Sequence, residues 1–273
     1  MIVTSDPRLW EQIFRADEAN QAYFAERFAL PGVTLFRAER PDAPEFDVAF
    51  VYRVPAMAAD EALRAIAEHF REHGRRPHVR LSPVSAPADW PRRLRGAGFV
   101  ETGERLDYFL APGTVRLTAN PAVRVERVNS QEDGDTFSAI QAAGFSIPPE
   151  HRGWDRELAH RHMAAGRHVF YLASLDGRAV GAARSIRLAS RMTAMAALAT
   201  LPEARGRGVG TSLLARMIED ARMAGSRVIF GTIIPGSYAA GMYARLGFVS
   251  LFGTRTFAGP ADPGVIRPTN GGR

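Results

Sequence analysis

The sequence predicts an α/β protein with mixed β-sheets, built from two halves of similar layout. Three observations carry this prediction. Short apolar or alternating runs that are typical of strands recur along the chain, separated by segments with helical spacing of apolar residues. An apolar run at 193–201 is followed by Pro202, a turn rich in glycine and arginine at 205–210, and an amphipathic segment. A similar order of elements occurs earlier in the chain, which indicates an internal duplication.

The first half is predicted to contain three helical regions and several short strands. Apolar residues between Leu9 and Phe28 have helical spacing, a second helix ends at Gly74, and a third ends at Gly98. Strands are predicted at 33–36, 46–54 and 78–81, and on both sides of the third helix. Several breakers then predict a linker at about 111–120: Pro112, Gly113, Asn120 and Pro121.

The second half is predicted to run in the order β-α-α-β-β-β-α-β-α-β. The segments are 123–128, 130–143, 152–165, 168–175, 178–188, 192–201, 209–224, 227–234, 237–246 and 248–257. Asp176-Gly177 is a strong signal for a two-residue hairpin turn. The run at 227–234 is almost continuously apolar, as expected of a central strand.

The composition is that of an ordinary soluble protein and excludes several kinds of site. With 46% hydrophobic residues, no long apolar run and no signal-peptide pattern, the sequence predicts a cytoplasmic protein. The chain has no cysteine, which excludes a disulfide framework, a thiolate nucleophile and cysteine-bound metals. The net charge of +6 is concentrated after residue 118, where 19 Arg face 12 Asp and Glu. This excess favours an acidic small ligand in the second half.

The turn at 205–210 has the properties of an anion site. Its three glycines, in alternating positions, let backbone amides approach a ligand closely, and the helix that follows directs its positive end to the same place. Arg205 and Arg207 add two cations, each able to form charge-assisted hydrogen bonds. A phosphate or pyrophosphate group suits such a site.

Two positions distinguish the second half from the first. When Pro55 is aligned with Pro202, the first half is about four residues shorter before the helix that follows, and the missing residues are the glycine-arginine turn. Leu94 stands in the position of Tyr243, within the similar segments LRGAGF and YARLGF. The first half is therefore predicted to lack both the anion site and the tyrosine hydroxyl.

The glycine-arginine turn and the segment around Tyr243 together resemble the GCN5-related N-acetyltransferase (GNAT) superfamily. The pattern is Pro-x-x-Arg-Gly-x-Gly-x-Gly after a strand, then a helix, a strand and Tyr-x-x-x-Gly-Phe. It covers about residues 121–257, and the duplicated layout is similar to tandem members. The resemblance implies two tandem acyl-CoA N-acyltransferase folds with centrally splayed mixed sheets: a degenerate GNAT-like domain at 1–115, an N-acetyltransferase domain at 116–258 and a flexible tail at 259–273.

The resemblance also implies a cofactor and roles for particular residues. Acetyl-CoA is the expected acyl donor, lying between the strands at 192–201 and 227–234. Tyr243 matches the family's hydroxyl donor to the departing thiolate, a role that suits a phenol with a reference pKa of about 10. The pantetheine arm and the pyrophosphate are expected to contact two groups of residues: Ala199, Thr200 and Leu201 for the arm, and Arg205, Gly206, Arg207, Gly208, Val209, Gly210 and Thr211 for the pyrophosphate.

The sequence departs from the family pattern at two places. Gly236 stands seven positions before the tyrosine, where many members have an asparagine that contacts the cofactor. The strand at 192–201 contains no Asp or Glu, although many members place a general base there. An amine nucleophile is mostly protonated near pH 7, so another group must take its proton. Six candidates remain open: Glu150, His151, Asp155, Glu157, His160 and His168.

Two functions remain open from the sequence. One is an N-acetyltransferase in which an amine attacks the acetyl thioester directly, with the active site in the second half. The other is a non-catalytic acyl-CoA sensor or scaffold, which the missing strand carboxylate and Gly236 favour. Separately, Tyr243 can be a half-buried core tyrosine on a short helix. The expected acceptor is a small-molecule amine or a peptide N-terminus, and the chain is expected to be a monomer or homodimer.

Other ligand classes are excluded by single positions. A dinucleotide fingerprint needs a glycine where Thr211 stands, and a P-loop needs a lysine, which the chain lacks. His160 and His162 are two residues apart on a predicted helix and point to different sides, so they do not form a metal pair. We therefore expect neither a metal, nor nucleic acid, nor a membrane as a partner.

Overall fold

A computed structural model describes residues 5–40, 43, 46–103 and 106–260 of the chain. The helices of the first half are α1 (Pro7–Ala16), α2 (Glu18–Gln21), α3 (Ala59–Arg71) and α4 (Trp90–Gly96). The strands are β1 (Ala25–Leu30), β2 (Val33–Ala38), β3 (Val48–Arg53), β4 (His78–Ala86), β5 (Val100–Glu101) and β6 (Asp107–Leu110).

The second half has a longer set of elements in the same general order. Its helices are α5 (Gln131–Gly144), α6 (Arg152–Ala164), α7 (Val209–Met223) and α8 (Tyr238–Arg245). Its strands are β7 (Val123–Arg127), β8 (His168–Leu175), β9 (Arg178–Leu188), β10 (Met192–Thr200), β11 (Val228–Ile233), β12 (Val249–Gly253) and β13 (Arg255–Ala258).

The described strands form two mixed sheets. The first has the order β1-β2-β3-β4-β13-β5, and the second has the order β12-β6-β11-β10-β9-β8-β7. Each sheet contains one parallel pair, β3 with β4 or β10 with β11. A parallel pair needs a long crossover connection, and the helices α3 and α7 provide it. The predicted α/β fold with two tandem mixed sheets is confirmed.

Each sheet includes one strand from the other half of the chain. β6 lies between β11 and β12 and is antiparallel to both. β13 lies between β4 and β5 and is antiparallel to both. The two inserted strands occupy equivalent places, because each follows the parallel pair of its sheet. The sheets are therefore joined by a reciprocal exchange of strands across the predicted division between residues 115 and 116.

Apolar faces of the helices explain how the sheets are covered. One face of α7 is buried in the core of the second half, as the amphipathic pattern predicts; its side chains are Val209, Leu213, Leu214, Met217, Ile218 and Ala221. Leu63, Ile66 and Phe70 of α3 pack in the same way in the first half. A further cluster joins the halves: Phe14 and Phe50 lie with Tyr108, Phe230 and Phe252. The two halves thus share a core.

Two predicted elements are wrong. Phe28 lies in β1 rather than in a helix, because the hairpin at Gly32, where φ is +74°, returns the chain into β2. The predicted strand 248–257 is two strands, β12 and β13, which belong to different sheets. The chain changes sheet at Thr254, whose backbone N–H donates to Leu106 O at 2.9 Å.

The end of the described chain is held by the first sheet. Gly259, the first residue of the predicted tail, donates its N–H to Pro77 O at 2.8 Å. The rest of that predicted tail, from residue 261 to 273, lies outside the described residues. Within the described part, every helix is too short or too polar to cross a lipid bilayer.

Candidate functional site

The two parallel strands of the second sheet separate halfway along their length. β10 pairs with β11 only from Met192, opposite Val228, to Met195, opposite Gly231. Beyond this point β10 has a bulge between Ala196 and Ala199 in its pairing with β9. The bulge bends the strand and strengthens its twist, which directs it away from β11. An opening therefore forms in the sheet between the second halves of β10 and β11.

The bulge of β10 is held by α5. Ala197 has a positive φ of +55°, an uncommon conformation for alanine. Gln141 donates its side-chain N–H to Ala197 O at 2.6 Å and so fixes the bulged carbonyl. Gly144 allows α5 to approach, because a Cβ at this position would lie 2.7 Å from Ala199 Cβ. The opening is thus maintained by close packing of a helix on the strand.

The glycine-arginine turn lies at the end of the opening, where β10 leads into α7. Gly206 and Gly208 have φ values of +77° and +79°, which favour glycine. Gly208 is the N-cap of α7, and no side chain caps this helix or places a carboxylate in its first turn. The first amides of a helix have no partner within it, so these N–H groups are available to a ligand with negative charge.

Asn120 positions the turn, although the sequence assigned it only to a linker. Its side-chain N–H donates to Arg207 O at 2.8 Å, and its backbone N–H donates to Ser212 Oγ at 3.0 Å. A Cβ on Gly208 would lie 3.1 Å from Asn120 Cβ. The linker residue therefore holds the turn from outside the helix and leaves the amides of the turn uncovered.

The two arginines of the turn are exposed and have partners within the protein. Arg205 donates through Nε to Thr200 O at 3.3 Å. Arg207 forms an ion pair of 2.8 Å with Asp176 in the β8–β9 hairpin. Both side chains of this ion pair are more than half exposed, so the pair contributes little stability and can be replaced by a ligand contact.

The three residues predicted to bind the pantetheine arm do not all face the opening. Leu201 donates its backbone N–H to Val180 O, towards β9. Because the backbone groups of an antiparallel ladder alternate in direction, those of Ala199 also face β9, while those of Thr200 face the opposite edge. Thr200 is therefore the residue of the three that presents its backbone to the opening.

Tyr243 lies on α8 and is buried in the core of the second half. Its ring is 6% exposed and packs against Phe109 and Phe248, at 6.1 Å and 4.6 Å between ring centroids. Burial raises the pKa of its hydroxyl well above the ordinary value of 10. Its neighbour Met242 lies near the start of α7, with Sδ 3.6 Å from the place of a Cβ on Gly210. α8 therefore contacts the turn directly.

A cavity of about 460 Å³ lies beside the opening. It reaches Ala196 and Ala197 of β10 and Thr232 of β11, the residues at which these strands have separated. The second half contributes further walls from α5, α6 and the segment between them: Phe137, Ser138, Gln141, Phe145, Ser146, Ile147, Pro148, His151, Trp154 and Asp155, together with Arg184 of β9. The first half contributes six residues: Asn20, Tyr23, Phe24, Arg40, Ala43 and Phe46.

Two of the six candidate bases face the cavity. His151 and Asp155 line it, whereas Glu150 and Glu157 are exposed. Burial raises the pKa of Asp155 above its ordinary value of 3.8, partly opposed by Arg40 and His151. A carboxylate with a raised pKa is a stronger base than an ordinary one.

The two remaining histidines are poor candidates. His160 Nε2 lies 3.0 Å from Asp135 Oδ1, and neither residue lines the cavity. His168 is buried, and burial with the nearby charge of Arg184 lowers its pKa to about 3. Its Nδ1 lies 3.2 Å from the Arg184 guanidinium and, in the neutral ring, accepts a hydrogen bond from it.

Arg184 is the buried cation of the cavity. It is 2% exposed, and burial lowers its pKa to about 10. Its guanidinium lies 3.7 Å from the centroid of the Tyr23 ring and donates to Asn20 Oδ1 at 2.8 Å. These contacts link β9 of the second half to α2 and the residues directly after it in the first half. The sequence carried one signal for this residue, namely an arginine within the run AVGAARSI at 179–186, which contains no other charged residue.

Metal binding has no support in the side-chain geometry of the described residues. They contain no group of three or more His, Asp and Glu side chains close enough to hold an ion. His162, two residues after His160 on α6, contacts the first half: its Nε2 lies 3.0 Å from Tyr23 O, and its ring stacks on that of Tyr23.

Comparison with known proteins identifies the class of this domain. Residues 135–248 match the model of the Acetyltransferase (GNAT) family. This region contains the opening between β10 and β11, the glycine-arginine turn and Tyr243. No curated protein matches the chain at a level that indicates relatedness.

Solved structures extend the likeness to the whole chain. A GCN5-related N-acetyltransferase from Kribbella flavida superposes with a TM-score of 0.69 at 18% identity, covering 92% of this chain and 95% of its own. A putative GNAT acetyltransferase from Novosphingobium aromaticivorans gives 0.55 at 21% identity, with 90% and 96% covered. A tandem GNAT protein from the clavulanic acid biosynthesis pathway gives 0.61 at 14% identity, with 95% and 97% covered.

The second half of the chain therefore carries a GNAT-family domain, and the chain as a whole has the fold of tandem GNAT proteins. Members of this family transfer acyl groups from acyl-CoA donors to amines of small molecules or peptides. The domain is thus assigned to acyl transfer in general.

Proposed function

We propose that the protein is an N-acetyltransferase that transfers the acetyl group of acetyl-CoA to an amine, with its active site in the second half. The observation that carries this proposal is the position of the opening between β10 and β11. The uncapped turn before α7 lies at one end of the opening, and the cavity of about 460 Å³ lies beside it. A donor and an acceptor bound at these two places would meet at the separated strands.

The donor contacts follow from the backbone directions. The pyrophosphate of CoA would lie on the amides from Gly206 to Thr211, where the positive end of α7 stabilises negative charge. Arg205 and Arg207 would pair with its outer oxygens, in exchange for their present partners. The pantetheine amides would hydrogen-bond to the edge that Thr200 presents, which places the thioester near the bulge of β10.

The transfer requires two proton movements. The acceptor nitrogen attacks the carbonyl carbon of the thioester and loses a proton to Asp155 or His151, the candidate bases that line the cavity. The carbon–sulfur bond breaks as the amide forms, and the thiolate of CoA takes a proton from the Tyr243 hydroxyl. The phenol of Tyr243 is protonated at neutral pH and can donate to the thiolate; burial raises its pKa, which makes it a weaker acid than an exposed phenol.

The first half is proposed to act as a wall of the acceptor cavity, without a second active site. Its six lining residues support this role. The proposed domains are a GNAT-like domain at 1–115 and an N-acetyltransferase domain at 116–258, with β6 and β13 each lying in the sheet of the other domain.

The test combines binding with turnover. Calorimetry should show binding of CoA to the full chain, and thiol release from acetyl-CoA should depend on an added amine. If CoA does not bind, both the enzyme and the sensor are rejected. If CoA binds but no thiol is released across a broad panel of amines, the chain is instead a non-catalytic acyl-CoA sensor, which the lack of a carboxylate on β10 would favour.

A further inference from the structure

The cavity contains a buried positive charge that forms no direct ion pair within the described part of the chain, although the buried carboxylate of Asp17 acts on it from a longer distance. Arg184 is 2% exposed and lines the cavity. Among the residues that the structure describes, no Asp or Glu forms an ion pair with it; its hydrogen bonds go to the neutral ring of His168 and the amide oxygen of Asn20. A guanidinium has five N–H donors, so these two bonds leave donors for a ligand. Burial of a charge without a counterion in direct contact is costly, and an anion in the cavity would compensate it.

The place of Arg184 in the sheet brings such an anion close to the proposed reaction. Arg184 of β9 lies directly opposite Ala196 of β10, where the opening begins. Opposite residues of an antiparallel pair have Cα atoms about 4.5–5.5 Å apart, and their side chains are on the same face of the sheet. Arg184, Ala196 and Ala197 line the same cavity, so an anionic group held by Arg184 would share that cavity with the separated part of β10, where the thioester is expected.

The remaining walls indicate the body of the ligand. Tyr23, Phe24 and Phe46 come from the first half, and Phe137 and Trp154 from the second. Such aromatic walls favour a flat or large apolar group. A volume of about 460 Å³ is that of a small-molecule site and is too small for a folded chain segment.

We propose that the acceptor is a small amine that also bears a carboxylate and an aromatic or large apolar group, as in an aromatic α-amino acid, and that Arg184 binds this carboxylate. The proposal rests on the proposed N-acetyltransferase function. In this arrangement Arg184 holds the carboxylate, the apolar group lies among the aromatic walls, and the amine points to the opening with Asp155 or His151 near it.

A purely structural role of Arg184 makes a different prediction. Its contacts with Asn20 and Tyr23 join the two halves, so loss of Arg184 could simply loosen the cavity. Loosening would lower activity towards all amines alike. Recognition of a carboxylate instead changes the ratio of activities towards amines with and without that group.

The first experiment measures this ratio. The kcat/KM values of the full chain are determined for phenylalanine, tyrosine, tryptophan and leucine and for the corresponding amides, which lack the negative charge. We expect the wild type to prefer at least one acid over its amide, and R184Q to reduce that preference at least tenfold. Because the same pair of amines is compared in both proteins, their different basicities cancel. Arg184→Lys should restore part of the preference, and Arg187→Gln, exposed on the same strand, should leave it unchanged.

The second experiment does not depend on turnover. Calorimetry compares 3-phenylpropionate with 3-phenylpropanamide on the wild type, which avoids any variant that fails to fold. We expect the acid to bind at least tenfold more tightly, and R184Q to abolish this difference if it folds. Equal binding of the two compounds, or an unchanged acid preference in R184Q, would overturn the assignment of Arg184. Thiol release with only neutral amines would leave the N-acetyltransferase intact and reject the carboxylate. Acid-selective binding without any thiol release would support the carboxylate site and reject the N-acetyltransferase.

Discussion

The two halves contain the same strand–helix–strand unit, yet only one of them opens. In the first half the pairing of β3 with β4 is interrupted by a register shift after Val51, opposite Leu81, but it resumes with Arg53 opposite Ala86. The Ser85 hydroxyl also donates to Val51 O at 2.6 Å and bridges the irregular position. In the second half the pairing of β10 with β11 stops after Met195. The difference shows that the cleft is a local departure from a shared architecture.

The two halves also differ in the environment of one carboxylate each, Glu18 and Asp155. Glu18 on α2 accepts hydrogen bonds from Thr34 at 2.8 Å and Tyr52 at 2.6 Å and also pairs with Arg27. Asp155 on α6 faces the cavity, and its pKa is raised by burial. The carboxylate of Glu18 is thus held by contacts within the first half, whereas that of Asp155 faces the cavity.

The largest effect is expected from a substitution in β13. It should destabilise the sheet of the first half, although β13 belongs to the second half of the sequence. Phe257 of β13 is fully buried in the core of the first half. Phe257→Ala should lower the free energy of unfolding by about 3–5 kcal/mol, through loss of burial and the cavity that remains. Denaturant unfolding measures this change, and hydrogen exchange should show loss of protection first in β4. In Phe252→Ala, a matched change on β12, the early loss should instead fall on β6. The same order of loss in both variants would contradict the exchange.

The next largest effect is on CoA affinity, and it distinguishes the turn before α7 from the turn that ends α3. Gly208→Val should weaken CoA binding by at least about 10²-fold, because valine is strained at a φ of +79° and its Cβ would press on Asn120. Calorimetry with CoA measures the change. Gly74→Val provides the control, since Gly74 has a φ of +63° at the end of α3, with open space around it. That variant should lose stability without losing affinity for CoA; equal losses of affinity would remove the distinction.

The third effect tests whether α8 is catalytic where α4 is not. Tyr243→Phe removes only the hydroxyl and should lower kcat by about 10- to 10²-fold with little change in CoA affinity, as expected when a proton donor is lost. Tyr238→Phe, on the same helix but 71% exposed, should leave kcat unchanged. Steady-state thiol release measures both variants. An unchanged kcat in Tyr243→Phe would make Tyr243 a core residue like Leu94.

The smallest effect is on kcat/KM and its pH dependence, and it is expected for substitution of Asp155. Asp155→Asn should lower kcat/KM by about tenfold if Asp155 is the base. In the wild type, kcat/KM should rise as the pH increases through the pKa of Asp155, which lies above 3.8; this rise should be absent in Asp155→Asn. Glu157→Gln, an exposed carboxylate on the same helix, should keep the profile of the wild type. A rise that persists in Asp155→Asn would shift the role to His151.

The stability of the same variant has a defined sign. A carboxyl whose pKa is raised on folding contributes stability below its unfolded pKa and loses that contribution as the pH rises through its folded pKa. Asp155→Asn should therefore gain stability relative to the wild type as the pH rises from 3.8 through the folded pKa, and keep this gain above it. Thermal unfolding at several pH values measures the difference.

The sequence predicted the parts of the fold that depend on local patterns. The strands β8 and β9 with their Asp176-Gly177 turn, and the helix α7 with its stripe of apolar residues, were found within one or two residues. These elements are specified by spacing and turn chemistry that operate over a few positions. The glycines of the turn before α7 also have the positive φ values that their sequence pattern requires.

The remaining features depend on contacts between distant residues. Nothing local in Asp107–Leu110 or Arg255–Ala258 shows which sheet each strand will join. The cavity likewise combines Tyr23 with Arg184, which are 161 positions apart in the chain. The ranking of the bases required the cavity, since Asp155 and Glu157 are equivalent in sequence and differ only in the side of α6 that they occupy.

The exchange of β6 and β13 constrains how the protein can be made. During synthesis the first sheet cannot be completed when residue 103 leaves the ribosome, because its strand between β4 and β5 consists of residues 255–258. The nascent first half must wait, with Trp90 and Leu94 lacking the contact of Phe257, until almost the whole described chain has emerged. If either half were produced alone, its sheet would therefore lack one strand.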